Sequence, residues 1–289
     1  MKIKAYRINA FAKTAEGGNP AGVVLDADRL SENEFKKIAA HLGFSETAFV
    51  LTSDCADFKL RFFTPNEEVD LCGHATVGTF SALASLGFIK PGQYAQETKA
   101  GVLNVEVKDD LSIMMNQRVP KFYETLDKGE IADSLNISRL EMVEDLPVQI
   151  VSTGLRDILI PVKTGMILNA IKPDFKKIKE LSRKYNVVGY HVFSIESSGH
   201  PKAHCRNFAP LVEIPEESAT GTSNGALACY LFKYGKISSV DADDLIFEQG
   251  YSMKQPSEIN VSLRIENKAI AEVRVGGHAL NLTAIDIEI

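Results

Sequence analysis

The chain has few of the features that define several large protein classes. Its four cysteines in 289 residues are too few and too scattered for a disulfide framework, which favours a cytoplasmic protein with reduced thiols. Its formal net charge of −6 argues against nucleic acid as a partner, because a nucleic-acid surface needs an excess of Lys and Arg. No segment approaches the roughly 20 apolar residues that span a bilayer, and segment 1–8 lacks the apolar core of a signal peptide. Neither a membrane nor a nucleic-acid partner is therefore expected.

Two stretches of the chain resemble each other, and each leads into an apolar run. Both contain an Arg-x-Phe-x-Pro segment, which begins at Arg61 in the first stretch and at Arg206 in the second. A glycine turn and an apolar run follow, and the second glycine comes 14 residues after the first in both copies: Gly73 and Gly87, Gly221 and Gly235. This repeat predicts two similar lobes. Two positive helix ends directed at one cleft would bind an anion, most simply a substrate carboxylate.

The remaining patterns predict an α+β protein. Strands are expected where apolar residues alternate, at 57–63, 102–107, 259–265 and 270–275. A capping box at Ser31 and Glu34 predicts a helix that ends at Gly43, and Pro173 is a favourable first residue for a second helix to Tyr185. The repeated helices, 74–86 and 222–234, are apolar nearly all round, which is typical of a helix wrapped by a sheet.

Several short motifs occur together in the order typical of one known family. They are 18–25 (Gly-Asn-Pro-Ala-Gly-Val-Val-Leu), 45–50 (Ser-Glu-Thr-Ala-Phe-Val), 71–76 (Leu-Cys-Gly-His-Ala-Thr), 219–223 (Ala-Thr-Gly-Thr-Ser), Gln249-Gly250 and 275–277 (Val-Gly-Gly). Together they resemble the PhzF-like family of phenazine biosynthesis, within the diaminopimelate epimerase-like superfamily.

The resemblance implies two pseudo-symmetric lobes, each a curved mixed β-sheet or barrel around a central buried helix, with the active site in the cleft. The N-terminal lobe would be 1–118 plus 279–289, because the last strand crosses back, and the C-terminal lobe would be 119–278. The family also implies a homodimer.

Glu46 is the first candidate for catalysis. It opens the apolar segment 47–51, and a carboxylate at the mouth of a buried strand is partly desolvated, which favours proton transfer near neutral pH. By resemblance, it is similar to the family's acid/base, which removes a proton from one substrate carbon and returns it to another. A plain surface glutamate at a strand end is the alternative interpretation.

The motif around the first helix start contains further candidates. His74 follows Gly73 at a helix N-terminus, which lowers the pKa of an imidazole and favours its neutral form. The resemblance implies that His74 is an active-site residue and that Asn19 contacts substrate. Gly73 and Gly221 would allow backbone amides to approach a ligand closely, although each also suits a tight turn.

The second repeat departs from the family pattern. Glu217 stands where the family has an aspartate, and Thr222 stands where it usually has a serine, with Ser223 as a neighbouring hydroxyl. The resemblance implies a catalytic role for Glu217 and substrate contacts for Thr222 and Ser223. Because a carboxylate moved by ~1 Å can alter catalysis greatly, the role of Glu217 stays open, and helix capping is the alternative for both hydroxyls.

Cys72 provides an alternative mechanism. Racemases of the superfamily use two cysteines, one at each helix start, and the helix dipole would favour a Cys72 thiolate. Thr220 occupies the second position, so a two-cysteine racemase lacks its second base, whereas a cysteine–threonine pair suits dehydratases of the superfamily. Cys72 is otherwise a small buried residue.

No cofactor is expected from the sequence. His200 and His204 have helical ligand spacing, but Pro201 lies between them, so no metal site is predicted. No phosphate-binding or dinucleotide-binding glycine motif occurs.

The resulting expectation is a cofactor-independent isomerase that moves a proton on a small, unsaturated cyclic carboxylic acid. The alternatives are a racemase or dehydratase that uses Cys72 with Thr220, and a binding protein that kept the cleft without its chemistry.

Overall fold

The computed structural model describes residues 2–196 and 200–288. Met1, residues 197–199 and Ile289 lie outside the described residues. The lobe ranges predicted from the sequence include these positions. By internal contacts the chain divides into two units, Met1–Asn116 with Gly276–Ile289 (unit 1) and Gln117–Val275 (unit 2). Each unit combines strands and helices, and the α+β fold class is confirmed.

Unit 1 is built on strands that join the two ends of the chain. Strand β18 runs antiparallel to β1 from Lys2↔Glu288 to Ala10↔Ala279, β1 pairs antiparallel with β2, and β2 pairs parallel with β3. Its elements are β1 Lys2–Ala10, β2 Asn19–Val24, α1 Glu32–Leu42, β3 Thr47–Leu51, β4 Phe58–Phe63, β5 Glu68–Val69, α2 Gly73–Ser85, β6 Gly92–Thr98, β7 Gly101–Val107, β8 Ile113–Gln117, which ends at the unit boundary, and β18 Ala279–Glu288.

Helix α1 covers one face of this unit as the capping signals predict. The Ser31 amide and Oγ both bond to Glu34 Oε2 at 2.7 Å, and Gly43 ends the helix with a φ of 67°. Phe35 packs against Phe49 and Phe63, with ring centroids 4.4 and 5.3 Å away. This apolar cluster fixes β3, whose first residue follows Glu46.

Helix α2 is the central element of unit 1. Ten of its 13 residues are buried, and it contacts β1, β2, β3, β7 and β18. Small side chains allow this enclosure: an added Cβ at Gly78 would lie 2.8 Å from Cγ2 of Ile8. The predicted buried helix is confirmed, and it begins at Gly73 rather than His74.

Unit 2 repeats the plan of a central helix among strands. Strand β11 pairs parallel with β12, and β12 pairs antiparallel with β13. Its elements are β9 Lys121–Leu126, α3 Lys128–Leu135, β10 Val148–Ser152, β11 Arg156–Pro161, α4 Gly165–Ala170, α5 Phe175–Tyr185, β12 Gly189–Ile195, β13 Ala203–Ala209, β14 Ile214–Glu217, α6 Gly221–Lys233, β15 Leu245–Gln249, β16 Ser257–Glu266 and β17 Ala269–Gly277, which reaches into unit 1 at its last two residues.

Helix α6 is the counterpart of α2. It also has 13 residues, ten of them buried, and it contacts β10 and β16. Both central helices end before a glycine of positive φ, Gly87 at 77° and Gly235 at 67°. The residue after each glycine bonds back to the helix, from Phe88 N to Leu83 O and from Lys236 N to Leu231 O. The 14-residue spacing therefore marks one helix with its C-terminal cap in each unit.

The outer helices of unit 2 show what the sequence reading missed. Helix α5 begins at Phe175 rather than Pro173, because the Asp174 carboxylate caps it by accepting the amides of Lys176 and Lys177 at 3.1 Å. Helices α3 and α4 are short and were not predicted. No helix in the described ranges combines the length and apolarity that a membrane crossing requires.

Candidate active site

Glu46 is held in place by the parallel pairing of β2 and β3. Its carbonyl accepts the Gly22 amide at 3.1 Å, and Gly22 lies opposite Thr47 in the ladder. Glycine is required there, because an added Cβ at Gly22 would come within 2.6 Å of Thr47 Oγ1. The close approach of the two strands fixes the backbone of Glu46 immediately before the buried strand.

The side chain of Glu46 reaches the start of α2. Its Oε2 atom lies 3.3 Å from His74 Nε2, and Ser45 Oγ lies 3.4 Å from the same nitrogen. The Glu46 side chain is 16% exposed and the His74 side chain 6%. Among the described residues, Oε2 of Glu46 makes no well-aligned hydrogen bond despite its burial. A close but poorly aligned pair is common in ligand-free catalytic sites, where the bonds tighten when substrate binds.

The His74 imidazole is kept neutral by its surroundings. Burial lowers the pKa of His74, and the nearby Glu46 carboxylate opposes this only in part. The predicted direction is confirmed, but desolvation rather than the helix dipole is the main cause. A neutral imidazole can donate with one nitrogen and accept with the other, so His74 can orient Glu46 without carrying charge.

Cys72 lies on the other edge of the same ring. It is the buried N-cap residue of α2, with Sγ 3.3 Å from His74 Nδ1 and 3.9 Å from Nε2. Glu46, Cys72 and His74 each offer a metal-ligand atom, all within 4.8 Å, and zinc accepts these atom types. Because Nε2 lies 3.9 Å from the thiol and 3.3 Å from Glu46 Oε2, these three atoms can contact one ion without a turn of the ring. The carboxylate can equally take up a proton without a metal.

The backbone at Gly73 is open. An added Cβ there would have Met115 Sδ, 3.9 Å away, as its nearest neighbour. Packing therefore does not demand glycine at Gly73, which leaves close approach by a ligand as a reason for it. Asn19 is buried at the start of β2, opposite Ala10 on β1.

In unit 2, Glu217 is held at the start of α6. The Thr220 hydroxyl donates to Glu217 Oε2 at 2.6 Å, and Gln249 Nε2 donates to the Glu217 carbonyl at 2.7 Å and to Thr220 Oγ1 at 3.1 Å. Thr220 is the N-cap of α6, as Cys72 is of α2, and both have extended backbones without a side-chain cap bond. The two residues therefore occupy equivalent positions in their units.

The three following residues of α6 face different surroundings. Gly221 is buried at the first position, and Thr222 is half-buried, with its carbonyl accepting Thr153 Oγ1 at 3.1 Å. Ser223 is 1% exposed, and its hydroxyl bonds to Asp157 at 2.5 Å and to Asn207 at 3.1 Å. The hydroxyl of Ser223 is thus used inside unit 2, whereas Thr222 is partly accessible.

The sequence analysis did not predict a set of buried polar residues that hydrogen-bond near the start of α6. Asp157, His191, Asn207, Asn224 and Gln249 are each at most 4% exposed and hydrogen-bonded to one another or to the start of α6. One signal was available, because Asp157, next to Arg156, directly precedes the apolar segment 158–161.

Comparison with known proteins assigns the chain to a family. A sequence model of the PhzC-PhzF family, described as phenazine biosynthesis-like protein, matches residues 8–284. An uncharacterized isomerase of Clostridium acetobutylicum is 35% identical, with 96% of each chain covered. The crystal structure of the PhzF-family phenazine biosynthesis protein of Bacillus anthracis matches with a TM-score of 0.90 at 31% identity, covering 100% of both chains.

A relative with a named reaction also matches. The trans-2,3-dihydro-3-hydroxyanthranilate isomerase of Pseudomonas chlororaphis is 27% identical, with 94% of this chain and 95% of the relative covered. The α+β fold and the relatives that are named isomerases place the chain in the isomerase class. The chain belongs to the PhzF family.

Proposed function

We propose that this protein is a cofactor-independent isomerase that moves a proton between two carbons of a small carboxylic acid, with Glu46 as the acid/base. One observation carries the proposal: Glu46 Oε2 is buried 3.3 Å from His74 Nε2 and makes no well-aligned hydrogen bond among the described residues. A desolvated carboxylate without a strong donor is a better base than a fully hydrogen-bonded one.

The proposed reaction takes place in two balanced steps. Glu46 accepts a proton as a substrate C–H bond breaks, and the electron pair is delocalised over the adjacent unsaturated system. The same carboxyl then returns the proton to another carbon as the double bond shifts. His74 orients Glu46, and the amides at Gly73 bind the substrate carboxylate at the positive end of α2.

We propose a catalytic role for Glu217 as well, with Thr222, Asn19 and Gly221 as substrate contacts. Glu217 keeps its orientation through the Thr220 hydroxyl, at 2.6 Å. The dihydro-hydroxyanthranilate relative makes unsaturated cyclic acids the first substrate class to test. A cytoplasmic homodimer is further proposed from the family resemblance, and sedimentation equilibrium tests its stoichiometry.

Deuterium uptake tests the proposal without assuming a product. A panel of small carboxylic acids is incubated with the protein in heavy water, and the mass of each acid is followed. We expect at least one acid to exchange a carbon-bound proton with wild type and with the surface control Glu67→Gln, but not with Glu46→Gln. Exchange at the wild-type rate in Glu46→Gln would refute the role of Glu46. Binding of acids without exchange in any protein would instead favour the binding-protein alternative.

A second candidate reaction is a dehydration or racemisation by Cys72 with Thr220. The observation that favours it is the 2.6 Å bond from the Thr220 hydroxyl to Glu217, because a carboxylate in that position can draw the proton from a threonine hydroxyl. This reaction requires the Cys72 thiol, whereas proton transfer by Glu46 does not.

A further inference from the structure

A continuous chain of buried side chains connects the interior of unit 2 with Glu217. Each interior member is at most 4% exposed, while the two residues at its outer end are partly accessible. In order along the chain, the members are Asp157, Ser223, Asn207, His191, Asn224, Gln249, Thr220 and Glu217.

Hydrogen-bond chemistry determines where the protons lie at the inner end of this chain. Asn207 Nδ2 has two protons, and its two contacts are Ser223 Oγ at 3.1 Å and His191 Nδ1 at 3.2 Å. His191 Nδ1 must therefore accept. The Ser223 hydroxyl proton can then go only to Asp157 Oδ2, 2.5 Å away, so this carboxyl oxygen is the acceptor.

The donors and acceptors at the outer end of the chain, from His191 to Glu217, follow from the same hydrogen-bond chemistry. With Nδ1 accepting, a neutral His191 carries its proton on Nε2 and donates to Asn224 Oδ1 at 3.3 Å. Asn224 Nδ2 donates to Gln249 Oε1 at 3.0 Å, and Gln249 Nε2 donates to Thr220 Oγ1 at 3.1 Å. Thr220 can then give its proton only to Glu217. One arrangement of protons satisfies every member, with a carboxyl oxygen that accepts at each end.

We infer that Asp157 is a positioning residue, which acts through this buried chain to hold Thr220 and Glu217 in one orientation at the start of α6. The inference extends the proposed function, on which its catalytic part rests. Replacement of the Asp157 carboxyl by an apolar side chain removes the acceptor of Ser223, and the hydroxyl has no second acceptor because Asn207 presents a donor. The interior chain therefore rearranges as a unit, and Glu217 loses its fixed partner.

A matched set of variants separates this role from ordinary packing. Asp157→Leu removes the acceptor with little change in size, and Ser223→Ala removes the link between Asp157 and Asn207. The control is Ser182→Ala, a serine on α5 that is 0% exposed and whose Oγ makes no hydrogen bond among the described residues.

The first readout needs no substrate. We expect ¹⁵N spectra of the His191 imidazole to show the Nε2–H form in wild type and in Ser182→Ala. Both Asp157→Leu and Ser223→Ala should change these resonances, and exchange of the Thr220 amide should accelerate about tenfold as the orientation of Gln249 is lost. A protonated Nδ1 in wild type, or an unchanged Thr220 amide in both variants, would overturn the inference even if the proposed reaction is wrong.

The second readout uses the exchange reaction. Asp157→Leu should lower kcat by about tenfold to a hundredfold with KM within about threefold, because misplacement of a catalytic group acts on the transition state. Combining it with Glu217→Gln should add little to the effect of Glu217→Gln alone. Effects that multiply fully would show that Asp157 does not act through Glu217. An inactive wild type with the expected spectra would contradict the proposed function and leave the positioning role standing.

Discussion

The two helix starts, at Gly73 in unit 1 and Gly221 in unit 2, share a scaffold but differ in how their polar groups are satisfied. In both units an arginine two residues before a phenylalanine forms a paired salt bridge, from Arg61 to Glu68 at 2.7 Å and from Arg206 to Glu216 at 2.9 Å. Each guanidinium also lies over that phenylalanine ring, about 5 Å away. The repeated motif therefore builds equivalent frameworks.

The difference lies in the acidic residue next to each helix. Glu46 has an imidazole nearby at 3.3 Å but no well-aligned hydrogen bond to Oε2 in the described ranges, whereas Glu217 is fixed by Thr220 at 2.6 Å. A general base needs a lone pair that no hydrogen bond already occupies. A group with a positioning role needs hydrogen bonds that hold its orientation. Under the proposed function, Glu46 is the reactive carboxylate and Glu217 a fixed one.

The largest expected effect tests the different roles proposed for Glu46 and Glu217. Glu46→Gln should lower the exchange rate by about 10²–10⁴-fold, the usual contribution of a general acid or base, because an amide cannot take up the proton. Glu217→Gln should cost less, because it retains an oxygen that accepts from Thr220. Steady-state exchange rates of both variants in heavy water provide the comparison. A larger loss in Glu217→Gln would reverse the assignment of the two units.

The second prediction concerns stability against pH. Burial raises the pKa of Asp157 from 3.8 to about 6, and burial lowers the pKa of His191 from 6.5 to about 4. A raised carboxyl pKa means that stability is lost as pH rises from 3.8 to about 6, at a cost of about 3 kcal/mol when complete. A depressed imidazole pKa means that a similar amount is lost as pH falls from 6.5 to about 4. The two effects nearly cancel in wild type.

Asp157→Asn should therefore reveal the contribution of His191. We expect the variant to be more stable than wild type near pH 7, because no charge is buried, and this advantage should shrink by about 3 kcal/mol between pH 7 and pH 4. Urea unfolding at a series of pH values measures the difference, with Asp286→Asn on the exposed β18 as control. An advantage that does not change with pH would mean that Asp157 is already neutral at pH 7.

The third prediction compares the packing of the two central helices. An added Cβ at Gly225 of α6 would lie 2.8 Å from Val275 Cγ2 and in direct collision with Gln117, whose Oε1 is already bonded to Thr153. Gly225→Ala should destabilise the protein by about 1–3 kcal/mol. In α2, the added methyl group of Gly78→Ala collides only with a methyl group of Ile8. The gain of roughly 1 kcal/mol in helix propensity therefore offsets more of the steric destabilisation than it does in Gly225→Ala. Thermal unfolding that ranks the two variants in the opposite order would contradict this account.

The smallest effect is expected at Cys72. If Glu46 is the acid/base, Cys72→Ala removes only a buried thiol beside His74, and exchange should stay within about threefold of wild type. A loss of activity comparable to that of Glu46→Gln would support the cysteine–threonine reaction instead.

Local signals account for much of what was predicted correctly. Helix α1 could be predicted with its ends because Ser31, Glu34 and Gly43 act within one or two turns, and α2 and α6 because a helix apolar on all sides must be enclosed. The missed helices α3 and α4 have eight and six residues. Such helices depend on packing rather than on propensity, so their sequences carry little signal.

The candidate site also has features that the sequence predicts and features that only the tertiary structure shows. The sequence by itself determined the repeated frame and the presence of Glu46, Cys72, His74 and Glu217, because glycine turns and helix starts are encoded by neighbouring residues. Only the tertiary structure decided which hydrogen bonds these side chains make. Asp157 and His191 are 34 positions apart in the chain, and each is linked to α6 by a separate hydrogen bond, to Ser223 and to Asn224. Long-range packing alone creates the burial that sets their protonation, and no local pattern encodes it.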